Sequence, residues 1–245
     1  MFTKRCYLLH IAALLVLSHT VAAQSTVQKE GATVLENFEQ DFINTIPSAW
    51  YDRDGNDKLI NYDSDFISDY NYKVLEENGN KFLRYQGTRA KHINYPLINK
   101  EEINIYETPV LTWKVRAHVL PVNASEDDDN RNDSVASIYV VFDLGRVLFR
   151  KVPKSIRYTW SSSLPKGTEL SKFFGNQKIV VVESGESEKG RWVTFKRNIV
   201  EDYKRLFGDH PPEKPLAILI LSDGDSTGSF VKADYDDIML LPESR

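Results

Sequence analysis

The chain has 245 residues, with 31 lysines and arginines against 35 aspartates and glutamates and a net charge of −4 at pH 7. The basic residues are scattered rather than clustered, which argues against a nucleic-acid partner, and the length suits one large sandwich or barrel. The single cysteine, Cys6, lies in the first few residues, so no disulfide staples the fold and stability must come from a hydrophobic core.

In chain order, Lys4 and Arg5 precede an apolar stretch from Leu8 to Leu17, and Val21-Ala22-Ala23 closes it with small residues. That pattern predicts a secretory signal peptide over 1–23. The stretch is shorter than the roughly 20 apolar residues a membrane span needs, and no second one follows. The expectation is a periplasmic or secreted protein with no membrane span after cleavage. It has a polar leader over 24–33 and a single domain over 34–245.

Val34, Leu35, Phe38 and Phe42 open the patterned region. A hairpin is predicted where Tyr72-Lys73-Val74-Leu75 and Lys81-Phe82-Leu83-Arg84-Tyr85 flank Asn78-Gly79, a pair suited to a tight turn with positive φ at both central residues. Over 110–120, Leu111, Trp113, Val115 and Ala117 share one face, and Lys114, Arg116 and His118 the other. This is the period of a half-buried strand. Further strands are expected at 135–142, 155–161, 177–183, 190–196, 216–221 and 230–241. Ile179–Val182 and Leu216–Leu221 are apolar without alternation, so both of their faces should be covered. Residues 126–133, rich in aspartate, read as a solvated loop. One helix is predicted at 199–207, with Asn198 as N-cap, Glu201 completing a capping box and Gly208 as the stop.

The motifs from Leu111 onward resemble the domain of unknown function 3047 family, over about the last 130 residues. The resemblance rests on Trp113-Lys114-Val115, the acidic loop ending Asn132-Asp133, Ile138–Phe142, Ile156–Ser162 and Gly190-Arg191-Trp192-Val193. Arg197–Tyr203, Leu206-Phe207-Gly208, Asp223–Gly228 and Tyr235-Asp236-Asp237-Ile238 complete it. One departure is Phe195-Lys196, where the family pattern leads one to expect an acid. The resemblance implies architecture and brings no activity. It points to a mainly β, jelly-roll-like sandwich, similar to galactose-binding and carbohydrate-binding modules, with its first and last strands side by side.

Four groups of residues could carry chemistry. Tyr158, Trp160 and Trp192 could stack on the C–H face of a sugar, with Arg116 and His118 taking hydroxyls. Arg197 could hold the carboxylate of an acidic sugar as a bidentate fork. Asp223-x-Asp225-x-Thr227-Gly228 has the alternating oxygens of a calcium turn. Asp52-x-Asp54-x-Asn56 is a partial match of the same kind. Glu39 with Asp236 or Asp237 could meet around one structural calcium if the first and last strands are neighbours. Motifs for a serine elbow, a zinc protease or a phosphate-binding loop are absent. The reading is therefore a non-catalytic carbohydrate-binding-like module of the cell envelope, with a polysaccharide as partner. The alternatives are a polysaccharide lyase or glycoside hydrolase on the same fold and a structural or assembly protein. The oligomeric state is not legible.

Overall fold

The computed structural model describes residues 31–53, 59–60, 72–143, 146–147, 150–151 and 153–243. The signal peptide, most of the leader, and Asp54 and Asn56 of the partial calcium match lie outside the described residues. No described helix is long and apolar enough to cross a membrane.

The chain runs through β1 (Thr33–Glu36), the paired two-residue strands β2 (Asp52–Arg53) and β3 (Leu59–Ile60), then β4 (Tyr72–Glu77), β5 (Asn80–Gly87) and β6 (Ile93–Pro96). β7 (Val110–Val119) and β8 (Ser134–Asp143) follow, with a second small ribbon of β9 (Arg146–Val147) and β10 (Arg150–Lys151). After β11 (Lys154–Ser161), β12 (Glu169–Lys172) and β13 (Gln177–Ser184) come β14 (Val193–Asn198), helix α1 (Ile199–Phe207), β15 (Ala217–Asp223) and β16 (Val231–Leu241). Two six-stranded sheets result. The first has the order β14-β7-β16-β5-β4 with β1 added to β16, and the second has the order β12-β13-β11-β8-β15-β6.

The sheets face each other across one core, as the alternation predicts. Leu111, Trp113, Val115 and Ala117 of β7 meet Ile138, Val140 and Phe142 of β8 and Ile156, Tyr158 and Trp160 of β11. Aromatic rings fill the gap: Trp113 lies 5.5 Å from Tyr158 and 5.4 Å from Phe195, and Trp160 meets Phe195 edge-on at 6.2 Å. Their polar atoms are satisfied, as buried tyrosines and tryptophans require. Trp160 donates to the Gly185 carbonyl and Tyr158 to Asp202.

The last strand organises the first sheet. β16 pairs with β7 along one edge, while its other edge meets β5 over Val231–Tyr235 and β1 over Ile238–Leu240. The change of neighbour coincides with a register shift between Asp236 and Met239, where Asp237 has φ 48°. An extra residue there bends the strand away from β5, as bulges do. The first and last strands are thus adjacent, as the resemblance implies.

Local signals act as read. Asn78 and Gly79 take φ 56° and 80° between β4 and β5. Asn198 Oδ1 accepts from the Glu201 N–H at 3.0 Å, and Gly208 closes α1 with φ 70°. The reciprocal half of the capping box does not form, because the Glu201 carboxylate takes Lys204 instead. The acidic loop departs further from expectation. Asp127 and Asp129 are exposed, but Glu126 is fully buried beneath them and accepts from Ser161 and Thr159 of β11 at 2.5 and 3.3 Å. The loop is therefore a cover for the outer face of the second sheet at Thr159 and Ser161 of β11.

A methyl group at Gly208 would meet no atom within 4 Å. Gly208→Ala therefore carries only the left-handed backbone penalty, roughly 1 kcal/mol, to be read as a lowered midpoint in urea unfolding with an unchanged slope.

Candidate functional site

Alternation places Lys114, Arg116 and His118 of β7 on the outer face of the first sheet. The same period puts Phe82 and Arg84 of β5 and Asp234 and Asp236 of β16 beside them. Asp234 is fully buried and gathers three groups from two strands. Arg84 reaches its two oxygens at 2.6 and 2.8 Å, Arg116 Nε donates at 2.8 Å, and His118 Nε2 lies 2.7 Å away. Burial alone would raise this carboxyl, but the hydrogen bonds from His118 and Arg84 outweigh it and hold Asp234 below the usual carboxylate range. Arg116 also forms an ion pair with Glu77 at 2.6 Å, and Lys114 one with Asp237 at 2.5 Å.

Held by Asp234 through Nε and by Glu77 through Nη1, the Arg116 guanidinium lies against two rings. Its central carbon is 4.8 Å from the Trp192 ring centre and 5.2 Å from that of Phe82. The rings meet edge to face at 5.7 Å. Trp192 precedes β14, half-buried, and points away from the core-facing Phe195. Together they form one wall of an open groove of about 470 Å³, completed by Glu77, Asn78, Asn80, Lys114 and Asp236. Asp236 accepts from Asn80 Nδ2 at 2.9 Å. Burial, reinforced by the neighbouring Asp237, pushes its carboxyl up to about 7, so near neutral pH it can donate as well as accept. The cations of the groove are already paired, so it offers an aromatic surface and neutral hydrogen-bonding groups rather than a positive field.

The structure separates the other sequence candidates. Tyr158 and Trp160 share the Ile156 face, which is the inner one; each is only 1 % exposed and neither can stack on a ligand. His118 points outward but is engaged by Asp234. Arg197 does act as a fork, on Asp202 rather than on a ligand, at 2.7 and 2.5 Å. Asp202, although raised by burial, is held low by Arg197 and Arg205.

Asp223 and Asp225 come together, and the residue that joins them is Asp133. The three carboxylates have oxygens within 4.8 Å of one another. Asp133 accepts from the Ser226 and Thr227 N–H groups at 3.1 and 2.8 Å, and Asp223 from Ser134 N–H at 2.8 Å. The turn is tight: a Cβ on Gly224 would stand 2.2 Å from the Ser229 carbonyl oxygen. Burial pushes Asp223 up to about 7, against the nearby Arg157. This triad is where a hard cation could sit. Glu39 and Asp237 are not part of it. Glu39 Oε1 accepts from the Lys81 N–H at 2.9 Å, and Asp237 pairs with Lys114, so the expected ion between first and last strands has no carboxylate cluster among the described residues.

The sequence does not single out Phe82, Glu77, Asn80 or Asp234 as site residues, and it offers Asp236 only as a calcium ligand. For Phe82, Asp234 and Asp236 the signal is the same two-residue period that selects Lys114 and Arg116, applied to 81–85 and 231–236; Glu77 and Asn80 flank the Asn78-Gly79 turn as a strand pair. Asp133 was visible only as the end of the acidic loop.

The architecture and site define a two-sheet β-sandwich with an aromatic-walled groove open on the outer face of one sheet. The chain belongs to the DUF3047 family, described as a protein of unknown function, whose profile matches residues 64–239; the match begins well before Leu111, where the resemblance was first legible. No curated protein sequence matches the chain. Among solved structures, it is similar to a family 11 carbohydrate-binding module of the cellulosomal cellulase Lic26A-Cel5E of Clostridium thermocellum, at 11% identity and TM-score 0.38, covering 86% of this chain and 95% of that one. It is also similar to a family 28 carbohydrate-binding module specific for non-crystalline cellulose, at 16% identity and TM-score 0.41, covering 86% and 96%. A family 30 module of the Clostridium thermocellum cellulase Cel9D-Cel44B gives 10% identity and TM-score 0.40, covering 83% and 96%. Identities this low leave the ligand of this chain to its own residues.

Two outcomes follow from the charges. Asp234→Asn leaves Arg84 and Arg116 without their buried counter-charge, and calorimetry should show a loss of about 3 kcal/mol. For Asp223 the folded state binds a proton that the unfolded chain has released between about pH 4 and 7. Its ionisation therefore destabilises the fold as pH rises through that window. Asp223→Asn should match wild type at pH 4 and exceed it at pH 8, by about 2–4 °C in Tm for each kcal/mol relieved.

Proposed function

We propose that the protein is an exported, non-catalytic glycan-binding module of the cell envelope that holds a neutral polysaccharide in the groove beside Trp192. Export is inferred from the basic start, the apolar stretch and the small-residue site of residues 1–23. The observation that carries the binding reading is the groove itself: a half-buried tryptophan whose orientation is fixed by Phe82 and Arg116, flanked by Asn80 and Asp236. Sugar rings present a C–H face to such a ring and hydroxyls to such polar groups. The paired state of Lys114 and Arg116 favours a neutral chain over an acidic one. A structural calcium ion between Asp133, Asp223 and Asp225 belongs to the same reading.

Affinity electrophoresis through gels containing neutral β-glucan, xylan, mannan or galactan, with alginate and polygalacturonate as acidic controls, tests the binding. One neutral polymer should retard the wild-type chain, and Trp192→Ala should weaken retardation by roughly tenfold or more. Retardation only by the acidic polymers, abolished by salt, would overturn it. Calcium should raise the Tm of the wild type at pH 8 and leave that of Asp225→Asn unchanged.

One observation favours a hydrolase as the second reading. Asp236, raised to about 7, shares the groove with the charge-paired Glu77, and opposed carboxylates of this kind perform glycoside hydrolysis. Release of reducing ends from the retained polymer, lost in both Asp236→Asn and Glu77→Gln, would establish it.

A further inference from the structure

The second sheet carries a smaller pocket of about 340 Å³ on its outer face, where β6, β8 and β15 lie side by side. Its floor is Asn94, Val141 and Leu219, and its rim includes Pro153, Lys91 and His92. The inward neighbours of these residues, Ile93, Tyr95, Val140, Ile218 and Ile220, belong to the core, so the three floor side chains point outward by alternation.

Asn94 is the unusual member. It is 1 % exposed, and its Oδ1 is the one buried side-chain polar atom among the described residues that has no hydrogen-bond partner. The amide is not free to rotate and satisfy itself. Nδ2 donates to the Tyr51 carbonyl at 3.1 Å, and the backbones of Asn94 and Tyr51 exchange both of their hydrogen bonds at 2.8 Å. A buried acceptor left unpaired costs about 1–3 kcal/mol. An ordered water would need two to four polar partners, yet the floor next to Asn94 is Leu219 on β15 and Val141 on β8 beyond it. The pocket therefore asks for a hydrogen-bond donor carried on a body that is itself partly apolar. Its volume lies at the small end for a ligand site and suits one ring rather than a chain. Nothing charged stands beside Oδ1 on the floor, and a carboxylate there would set two acceptors against each other.

We propose that this pocket is a second ligand site that takes a single neutral sugar residue, a hydroxyl donating to Asn94 Oδ1 and the ring's C–H face lying on Val141 and Leu219. It is separate from the Trp192 groove, on the opposite sheet, and does not rest on the reading of that groove. The module then binds a polymer along one face and a terminal or free sugar on the other.

Saturation-transfer NMR on the full chain tests it, with methyl β-glucoside, methyl β-galactoside, methyl α-mannoside and methyl N-acetyl-β-glucosaminide as separate millimolar probes. At least one should bind. Asn94→Leu should weaken it about 3- to 10-fold, the worth of one hydrogen bond. Leu219→Trp, which fills the pocket from the neighbouring strand, should abolish the signal without touching the Tyr51 contacts. Trp192→Ala should leave it unchanged while removing polymer retardation, so the two sites fail independently. Binding of none of the four probes overturns the proposal. So does a signal that survives Leu219→Trp, or one lost in Trp192→Ala and kept in Asn94→Leu.

Discussion

Asp234 sits on the strand that every other strand of the first sheet reaches directly or through one neighbour, and its carboxylate has no solvent exposure. A lone charge in that position would be untenable. It is sustained because Arg84 on one side and Arg116 and His118 on the other converge on its two oxygens. The cluster ties β5, β16 and β7 together across the outer face, where no hydrophobic layer does so. It also sets the geometry of the groove. Arg116 cannot leave Asp234 without abandoning a buried counter-charge, so its guanidinium stays against Trp192 and Phe82. The tryptophan lies outside regular strand structure and would otherwise be a loop side chain with a choice of rotamers.

The two outer faces solve the same problem differently. On the second sheet, Arg157 is buried and donates to Ser134, Ser137 and Asn132 at 2.8–2.9 Å, while the loop that supplies Glu126 closes over it. Polar satisfaction there comes from within the chain, and most of that face is sealed. On the first sheet the charges pair laterally, strand to strand, and leave the surface above them open. The exception on the sealed face is Asn94, at the end of the sheet furthest from that loop. Both candidate binding surfaces are thus places where the chain's own covering stops.

The sequence was most legible where one period governed a whole element. The face of β7, the Asn78-Gly79 turn and both ends of α1 stand where alternation, turn chemistry and capping put them. Short elements were not legible: β6 and β12 have four residues each, too few for periodicity to register. The aromatic candidates divided for a physical reason. Tyr158 and Trp160 obey the same alternation as Ile156 and so follow it into the core, where preference of large rings for burial outweighs any binding role. Trp192 directly precedes Val193, the first residue of its strand, and alternates against Val193 and Phe195, so it faces the other way. The ionic partners were the hardest to foresee. Asp234 meets Arg84 across 150 residues and Arg116 across 118, and the link between Asp133 and the 223–227 turn spans more than 90. No local pattern reports such separations; they appear once strand order is known.

The chain contains four tryptophans, of which Trp50, Trp113 and Trp160 are buried in the core and Trp192 alone lines the groove. The most direct test of the account is a heteronuclear NMR titration that follows the four indole N–H resonances as an oligosaccharide of the retained neutral polymer is added. The account predicts that the Trp192 resonance moves in a saturable way while the other three stay in place. A saturable shift of the core tryptophans with Trp192 unmoved would place the ligand elsewhere and contradict it.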